Sequence, residues 1–435
     1  MDARSAALNT LIAYRREGAW SEAYLKKIAR ASDMSQRDVA LASNICYGVI
    51  QNRILLDFYI DSFSSIKKIN PKIRDILRIG IYQILYLDRI PVSAAVNEAV
   101  KTARADNAKA AGFVNALLRK IANSKEDLPV PQGDEKYRLS VLTSHPEWLV
   151  GKYLKIFGRN AEEILKVNNL IPEICARVNL IKCDVKTAIA ELEKDGVEVC
   201  AHEWLPGCIV LKNPGNIEEL FAYKEGLITV QDTASQIAGM IVGVKPGDKV
   251  LDACAAPGGK SFVMAQEMGN EGELYSCDIH PHKVELLRKG AERLGVSCVH
   301  TELRNASEHC AEFENAFDAV LADVPCSGLG IIRKKPDIRY KNPDEIKNLP
   351  AVQSAILNNV SRYVKPGGVL VYSTCTVLPQ ENEKVTDAFL KEKPEFEKEE
   401  FYLPGISGSV PGDITLLPTT HGTDGFYICK MRRKA

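Results

Sequence analysis

The second half of the chain alternates strand-like and helix-like patterns, and this alternation restricts the possible folds more than any other feature. Short apolar runs predict strands at 249–253, 273–277, 298–302, 318–323 and 368–373. Helical spacing of apolar residues predicts helices at 233–242, 261–268, 281–294 and 346–363. Strands and helices in this order predict a doubly wound, Rossmann-like parallel sheet, whose ligands bind at the carboxyl ends of the strands.

The front of the chain has a different pattern. Residues 3–125 carry apolar side chains at helical spacing throughout, which predicts an all-α bundle over 1–128. A polar stretch with two prolines, 125–135, is typical of a linker. A strand, a helix and two further strands between 174 and 211 predict a small α+β domain over 140–225, which leaves 226–435 for the Rossmann-like domain.

Charge and cysteine content narrow the function classes. The chain has 56 basic and 56 acidic residues, but residues 1–135 hold 20 basic against 15 acidic, a net charge of +5. This surplus indicates either an anionic partner or solvated helix faces. The twelve cysteines form no C-x-x-C pair, so we expect no metal site. Without a signal peptide or an apolar run of about 20 residues, we expect a cytoplasmic protein and no membrane partner.

A glycine-rich turn, Cys254–Gly259, follows the first predicted strand and opens a helix at Lys260. Glycine lets a ligand approach the backbone, and a helix N-terminus attracts a carboxylate or phosphate. The turn matches neither the dinucleotide nor the nucleoside-triphosphate pattern. Asp278 ends the second strand, where it could bind a ribose hydroxyl or cap the next helix. Asn305, after the third strand, could contact an adenine edge or form a turn.

Cys326 and Cys375 follow the fourth and fifth predicted strands on the ligand side of the sheet. Carbon 5 of a pyrimidine becomes nucleophilic only after a thiolate adds at C6, and a second group must then remove the C5 proton. Two thiols at one sheet edge suit that chemistry, although free cysteines are usually small core residues. Asp323, three residues before Cys326, could bind the polar edge of the pyrimidine.

A basic loop with a terminal aromatic residue, 331–340, comes directly after this candidate site. Arg333, Lys334, Lys335 and Arg339 could bind RNA phosphates, and Tyr340 could stack on a base. An ordinary surface loop is the other interpretation of the same residues.

With these residues in place, the chain resembles the RNA cytosine-C5 methyltransferases of the bacterial RsmB (Fmu, Sun) type over essentially its whole length. The segments that carry the resemblance are DACAAPGGKS at 252–261, DIHPHKVELL at 278–287, DVPCSGLGIIRKKPDIRY at 323–340 and YSTCTVLPQENEKV at 372–385. FVNALLRK at 113–120 and IPVSAAVNEAV at 90–100 resemble the NusB-type RNA-binding domain. The implied fold is a NusB-like bundle, a ferredoxin-like or RRM-like α+β domain and a Rossmann-like methyltransferase domain.

The resemblance also implies site roles. Cys375 would attack C6 and Cys326 would help to remove the C5 proton, with Asp323 and Lys260 completing the catalytic set. S-adenosylmethionine would lie over Cys254, Ala255, Ala256, Pro257, Gly258, Gly259 and Lys260, with Asp278 on the ribose, Asn305 near the adenine and Asp323 near the methionine end.

The predicted function is therefore transfer of a methyl group from S-adenosylmethionine to C5 of a cytosine in 16S ribosomal RNA, a step of rRNA processing and ribosome biogenesis. Alternatives are the same reaction on another RNA, such as a tRNA, and a catalytically degenerate RNA-binding assembly factor. A DNA cytosine methyltransferase is disfavoured, because it would need no second thiol after the fifth strand. The oligomeric state is left open, with a monomer favoured.

Overall fold

A computed structural model describes residues 1–17, 21–403, 405 and 408–435. The chain divides into two compact units. The first contains Met1–Leu170 together with Lys335–Lys341, and the second contains Ile171–Lys334 and Asn342–Ala435. A short segment that follows the candidate site in sequence is therefore part of the N-terminal unit.

The first unit is helical, as predicted. Its α-helices are α1 (Ala3–Glu17), α2 (Ser21–Ala31), α3 (Gln36–Gln51), α4 (Arg53–Phe63), α5 (Pro71–Tyr86), α6 (Val92–Asp106), α7 (Ala108–Asn123), α8 (Glu135–Thr143), α9 (Glu147–Phe157) and α10 (Ala161–Val167). Side chains cap several starts: Ser35 accepts from the backbone N–H of Asp38, and Asn70 accepts from that of Lys72 before a helix with proline at its first position. Leu56, Leu77 and Leu118 are buried in one shared core.

Within the described residues, no single helix has the length and apolar character of a membrane span. The bent pair α3 and α4 meets that test together, by length and composition alone.

The second unit begins with a small antiparallel sheet of strand order β2-β3-β1-β4. Its elements are β1 (Ile174–Val178), α11 (Val185–Lys194), β2 (Glu198–Ala201), β3 (Cys208–Lys212), α12 (Phe221–Lys224) and β4 (Ile228–Val230). Side chains alternate between the faces of a strand. Ala176 and Val178 accordingly pack in the core of this sheet, whereas Cys175 joins the core of the larger sheet that follows.

The larger sheet has the order β10-β14-β9-β8-β5-β6-β7. The elements of this region are α13 (Thr233–Ile241), β5 (Lys249–Asp252), α14 (Gly259–Glu267), β6 (Glu273–Asp278), α15 (Pro281–Leu294), β7 (Val299–Leu303), β8 (Phe317–Asp323), α16 (Pro343–Ile346), α17 (Leu349–Val360), β9 (Val364–Thr374), α18 (Glu383–Glu392), β10 (Phe396–Lys398), β11 (Phe401–Tyr402), β12 (Ser409–Val410), β13 (Asp413–Leu416), α19 (Pro418–His421) and β14 (Phe426–Arg433).

The five strands β7-β6-β5-β8-β9 are parallel, which confirms the predicted Rossmann-like sheet. The sheet as a whole is mixed, because β14 pairs antiparallel with β9. The C-terminal strands had not been predicted. The strand order reverses next to β5, so the ends of β5, β6, β8 and β9 converge at the switch point where ligands bind in such sheets.

Candidate active site

Cys326 and Cys375 lie together at this edge of the sheet. The two cysteines follow the neighbouring parallel strands β8 and β9, in which Asp323, the last residue of β8, is in register with Ser373, one residue before the end of β9. Their Sγ atoms are 3.2 Å apart, and both residues are partly buried. The structure therefore brings the two predicted thiols together at one place, as expected if both act on the same base; their individual roles stay predictions.

The surroundings of Cys326 disfavour its charged form. The hydrogen bond to Cys375 and burial together raise the pKa of Cys326 well above its ordinary value. Cys326 therefore holds its proton, and either sulfur of the pair can be the donor in the contact between them. The nucleophilic state of a cysteine is the thiolate, and a neighbouring thiol can donate a hydrogen bond to such a thiolate.

Lys260 and Asp323 form an ion pair beside the sulfurs. Lys260 Nζ lies 2.7 Å from Asp323 Oδ2, and the hydroxyl of Ser373 donates to Asp323 Oδ1 at 2.7 Å. Burial alone would lower the pKa of Lys260, but the charge of Asp323 and the hydrogen bond to it raise that pKa overall. Lys260 is therefore an ammonium ion.

The glycine-rich turn is built on backbone geometry. Gly258 has a φ of +106°, and a Cβ there would lie 2.5 Å from the ring of Phe262. Only glycine fits this position. The turn leads directly into α14, whose first turn presents backbone N–H groups. Behind it Asp252 is fully buried and accepts a hydrogen bond from Ser261 Oγ at 2.7 Å. Burial raises the pKa of Asp252 to about 7.

Asp278 and Asn305 both make local hydrogen bonds of the kind expected if Asp278 caps a helix and Asn305 forms a turn. Asp278 ends β6 and accepts from the backbone N–H of His280 at 2.9 Å, next to the start of α15. Asn305 donates to Glu308 at 2.8 Å and accepts from Ser307 Oγ at 2.8 Å. Asn305 also lines a small cleft beside Cys277 at the end of β6. The predicted ribose and adenine contacts stay predictions.

The cations of the basic loop differ in their surroundings. Arg333 Nη2 lies 2.9 Å from Asp424 and Lys334 Nζ lies 2.8 Å from the same carboxylate, with Lys334 also paired to Asp232. These two cations hold the loop to the rest of its unit. Lys335 is exposed, as an RNA contact would need.

Arg339 requires a correction. Its side chain is fully buried within the N-terminal unit, and its guanidinium donates to Gln51 O at 2.9 Å and to Asn169 Oδ1 at 2.8 Å. Tyr340 donates to Ile50 O at 3.0 Å, and its ring lies under the guanidinium of Arg53. These contacts speak against the predicted phosphate contact of Arg339, because the side chain is used inside the unit.

Several residues of this site had not been predicted. Glu381 accepts from the backbone N–H of Ser327, next to Cys326, at 2.8 Å. Gly330 and Gly425 are in backbone contact, with Gly425 N donating to Gly330 O at 2.9 Å. The sequence patterns that could have indicated them are ENE at 381–383 and TDG at 423–425, and both lie outside the ends of the predicted strands. Among the described residues, no group of three or more His, Cys, Asp or Glu side chains could hold a metal ion.

Three family profiles match the chain. The profile of the NusB family matches residues 1–123, that of the RsmF/B-like ferredoxin-like domain matches 145–218, and that of the 16S rRNA methyltransferase RsmB/F matches 239–432.

Full-length relatives agree with these profiles. The chain is 38% identical to the probable ribosomal RNA small subunit methyltransferase B of Bacillus subtilis, over 99% of this chain and 98% of that protein. It is 31% identical to the protein of the same name from Synechocystis, over 100% of both chains. The crystal structure of PH0851 superimposes with a TM-score of 0.81 at 27% identity, covering 100% of this chain and 99% of that one.

The fold, the glycine-rich turn and the matching profiles together define an S-adenosylmethionine-dependent RNA methyltransferase. More specifically, the chain belongs to the ribosomal RNA small subunit methyltransferase B family.

The residues of the turn fit the cofactor of this class. The cofactor carries a carboxylate, for which the N-terminus of α14 is suited, and ribose hydroxyls, for which the Asp278 carboxylate is suited. The glycine at 258 keeps a side chain out of the space between the turn and Phe262.

Proposed function

We propose that this enzyme methylates C5 of a cytosine in 16S ribosomal RNA and that it does so through a covalent bond between Cys375 and C6 of the base. The observation that supports this most strongly is the 3.2 Å contact between the sulfurs of Cys326 and Cys375. A methyltransferase acting on an exocyclic amine would need neither thiol. The relatives named ribosomal RNA small subunit methyltransferase B support the substrate class.

In this proposal Cys375 adds to C6 as the thiolate, and C5 gains the electron density that it needs to accept a methyl group. S-adenosylmethionine, when bound, supplies that methyl group. Lys260 and Asp323, 2.7 Å apart, stabilise charge beside the attacking sulfur and bind the polar edge of the base. Once the Cys375 sulfur is bonded to C6 and uncharged, Cys326 gives up its own proton to solvent and, as the thiolate, removes the C5 proton. The C5–H electron pair re-forms the C5–C6 double bond, and Cys375 leaves as a thiolate.

For cofactor binding, we propose that the backbone of Cys254, Ala255, Ala256, Pro257, Gly258, Gly259 and Lys260 surrounds the methionine part, that Asp278 binds the ribose and that Asn305 lies near the adenine. The helix N-terminus at Gly259 supports the first assignment, and the position of Asp278 at the end of β6 supports the second. Asp323 would lie at the methionine end.

We further propose a division of labour among three domains, 1–128, 140–225 and 226–435. The first would bind RNA, in keeping with its surplus of basic residues. Of the loop cations, the exposed Lys335 is the one that we retain as an RNA contact. Arg333 and Lys334 would act by holding the loop that follows Cys326, through their ion pairs with Asp424.

The test uses purified protein, 16S ribosomal RNA and labelled cofactor. Cys375→Ala should abolish methyl transfer and leave RNA binding unchanged, whereas Cys310→Ala, at another partly buried cysteine, should retain activity. Methyl transfer by Cys375→Ala at the wild-type rate would refute the assignment of the nucleophile. Bisulfite sequencing of ribosomal RNA from a strain without the protein identifies the cytosine; an unchanged 16S pattern with loss of a mark on another RNA would move the substrate to that RNA.

A further inference from the structure

A residue with a hydroxyl group follows each cysteine of the pair. Ser327 comes directly after Cys326, and Thr376 comes directly after Cys375. Both of these residues are fully buried, and their hydroxyl oxygens lie 2.7 Å apart, which is a hydrogen-bond distance. The two loops that carry the sulfurs are therefore joined by a side-chain hydrogen bond at the residue after each sulfur.

Backbone hydrogen bonds join the same two loops on either side of this contact. Val324 N donates to Ser373 O at 3.1 Å, two residues before each cysteine, and Gly330 N donates to Cys375 O at 2.9 Å. Every residue other than proline has the N–H and C=O groups that such bonds use. The hydroxyl contact is made by side chains, so a substitution can remove it and leave the backbone bonds in place.

Both partners of the hydroxyl contact are held by further hydrogen bonds. Thr376 O accepts from Asn382 Nδ2 at 3.0 Å, and Thr376 Oγ1 accepts from Leu378 N at 3.4 Å. On the other loop, Ser327 N donates to Glu381 Oε2 at 2.8 Å. Because neither partner can move away without loss of another bond, their contact fixes the separation of the two loops.

The reaction of the proposed function depends on the separation of the two sulfurs. C5 and C6 are neighbouring atoms of one ring, and Cys326 must reach the proton on C5 while Cys375 is bonded to C6. Reacting atoms have to approach within about 3–3.5 Å, and a misplacement of about 1 Å can cost about 100-fold in rate. Two sulfurs that are 3.2 Å apart are close enough to serve neighbouring ring atoms.

We propose that the hydrogen bond between Ser327 and Thr376 is a positioning contact, which keeps the two sulfurs at the separation that release of the methylated base requires. Neither hydroxyl touches the base in this scheme, because each acts through the cysteine that precedes it. The inference rests on the proposed function, since it presupposes that both sulfurs act on one base. It goes beyond that function in naming the two residues that set the distance between the sulfurs.

The first measurement uses the free full-length enzyme and needs neither RNA nor methyl transfer. Diamide takes two hydrogens from a pair of thiols and joins their sulfurs as a disulfide, which requires the thiols to be close together. Thr376→Val keeps the branched shape of the side chain and removes the hydroxyl. We expect the disulfide between Cys326 and Cys375 to form about 10-fold more slowly in this variant, as followed by peptide mapping over time.

The second measurement is methyl transfer to 16S ribosomal RNA. Thr376→Val should lower kcat by about 10- to 100-fold, because the sulfurs are no longer held at the required separation. The affinity for S-adenosylmethionine, measured by calorimetry, should stay unchanged, because the hydroxyl pair lies outside the glycine-rich turn. Thr376→Ser retains the hydroxyl, so its rate of disulfide formation and its kcat should stay close to those of the wild type.

Ser327→Ala removes the same hydrogen bond from the other loop. In the double variant with Thr376→Val, both rates should fall no further than in either single variant, because one bond can be lost only once. Thr386→Val is the matched control: Thr386 is also fully buried, and its hydroxyl lies 2.8 Å from that of Tyr427. This control should behave as the wild type in both measurements.

Wild-type disulfide formation or wild-type kcat in Thr376→Val would overturn the inference, as would absence of the disulfide in the wild type. A Thr376→Ser variant as slow as Thr376→Val, or single effects that multiply in the double variant, would also overturn it, because the hydroxyl bond would then not be the cause. Cys326→Ala, run in parallel, separates this failure from that of the proposed function. If Cys326→Ala accumulates no covalent RNA adduct, the proposed function fails; if it accumulates adduct while Thr376→Val behaves as the wild type, only the positioning contact fails.

Discussion

Replacing Arg339 by methionine should destabilise the N-terminal unit. The guanidinium is fully buried there and serves several acceptors. These are Gln51 O at 2.9 Å, Asn169 Oδ1 at 2.8 Å, Ser144 O at 3.3 Å and Asn168 O at 3.4 Å. Three of the four are main-chain carbonyls near the ends of helices, so the side chain joins segments that are far apart in sequence. Methionine is similar in length but donates no hydrogen bond.

The size of the effect follows from the two short bonds. A hydrogen bond from a charged donor contributes about 1.5–3 kcal/mol, so losing two costs about 3–6 kcal/mol. Burial, which lowers the pKa of Arg339 to about 10, is a cost that methionine does not carry. We therefore expect a loss of about 3 kcal/mol in the free energy of unfolding of this unit.

The assay is urea denaturation monitored by circular dichroism, with Lys335→Met as the control. Lys335 is exposed in the same segment, so its removal should change stability by less than about 0.5 kcal/mol. Lys335→Met should instead weaken RNA binding and reduce its salt dependence. The reasoning would be refuted if Arg339→Met unfolded like the wild type and lost RNA affinity, because Arg339 would then be a phosphate contact.

Three further predictions concern the methyltransferase domain. Because the pKa of Asp252 is raised to about 7, the folded state binds this proton more tightly than the unfolded chain, and the free energy of unfolding should fall as pH rises from about 4 to 7 and then level off. Asp252→Asn should remove up to about 4 kcal/mol of that decline, as measured by unfolding across this pH range, and equal pH profiles of the two proteins would contradict the prediction. Gly330→Ala should abolish methyl transfer, because a Cβ there would lie 1.9 Å from the backbone oxygen of Gly425, and normal turnover would exclude this tight contact. Hydrogen peroxide should oxidise the thiols of Cys326 and Cys375, 3.2 Å apart, to a disulfide while it is reduced to water, with activity restored by dithiothreitol; peptide mapping that finds both thiols free in the inactivated enzyme would contradict this.

Most of the parallel strands could be predicted because they contain short buried apolar runs, and this pattern is local. β9 was predicted at 368–373 and extends over Val364–Thr374. The antiparallel addition of β14 was missed because it depends on pairing with β9, more than fifty residues earlier, as in the match of Tyr427 with Thr374. Nothing in the sequence near β14 states which edge of the sheet it joins.

The site shows the same division between local and distant causes. Cys326 and Cys375 could be placed together because parallel strands end at one edge of a sheet. The contact of Glu381 with the backbone N–H of Ser327 depends on a turn that folds back onto the loop of Cys326, so no residue near Glu381 in the sequence indicates it. Arg339 looks like its basic neighbours in the sequence; its burial is decided by acceptors at Gln51 and Asn169.

The central claim is that Cys375 bonds to the base and Cys326 releases it. Mass spectrometry of the Cys326→Ala variant after reaction with 16S ribosomal RNA and S-adenosylmethionine tests it most directly. We predict a nucleotide adduct on the peptide that contains Cys375, heavier than the cytidine adduct by one methyl group. Formation of 5-methylcytosine by this variant without any adduct, or an adduct on a different residue, would contradict the account.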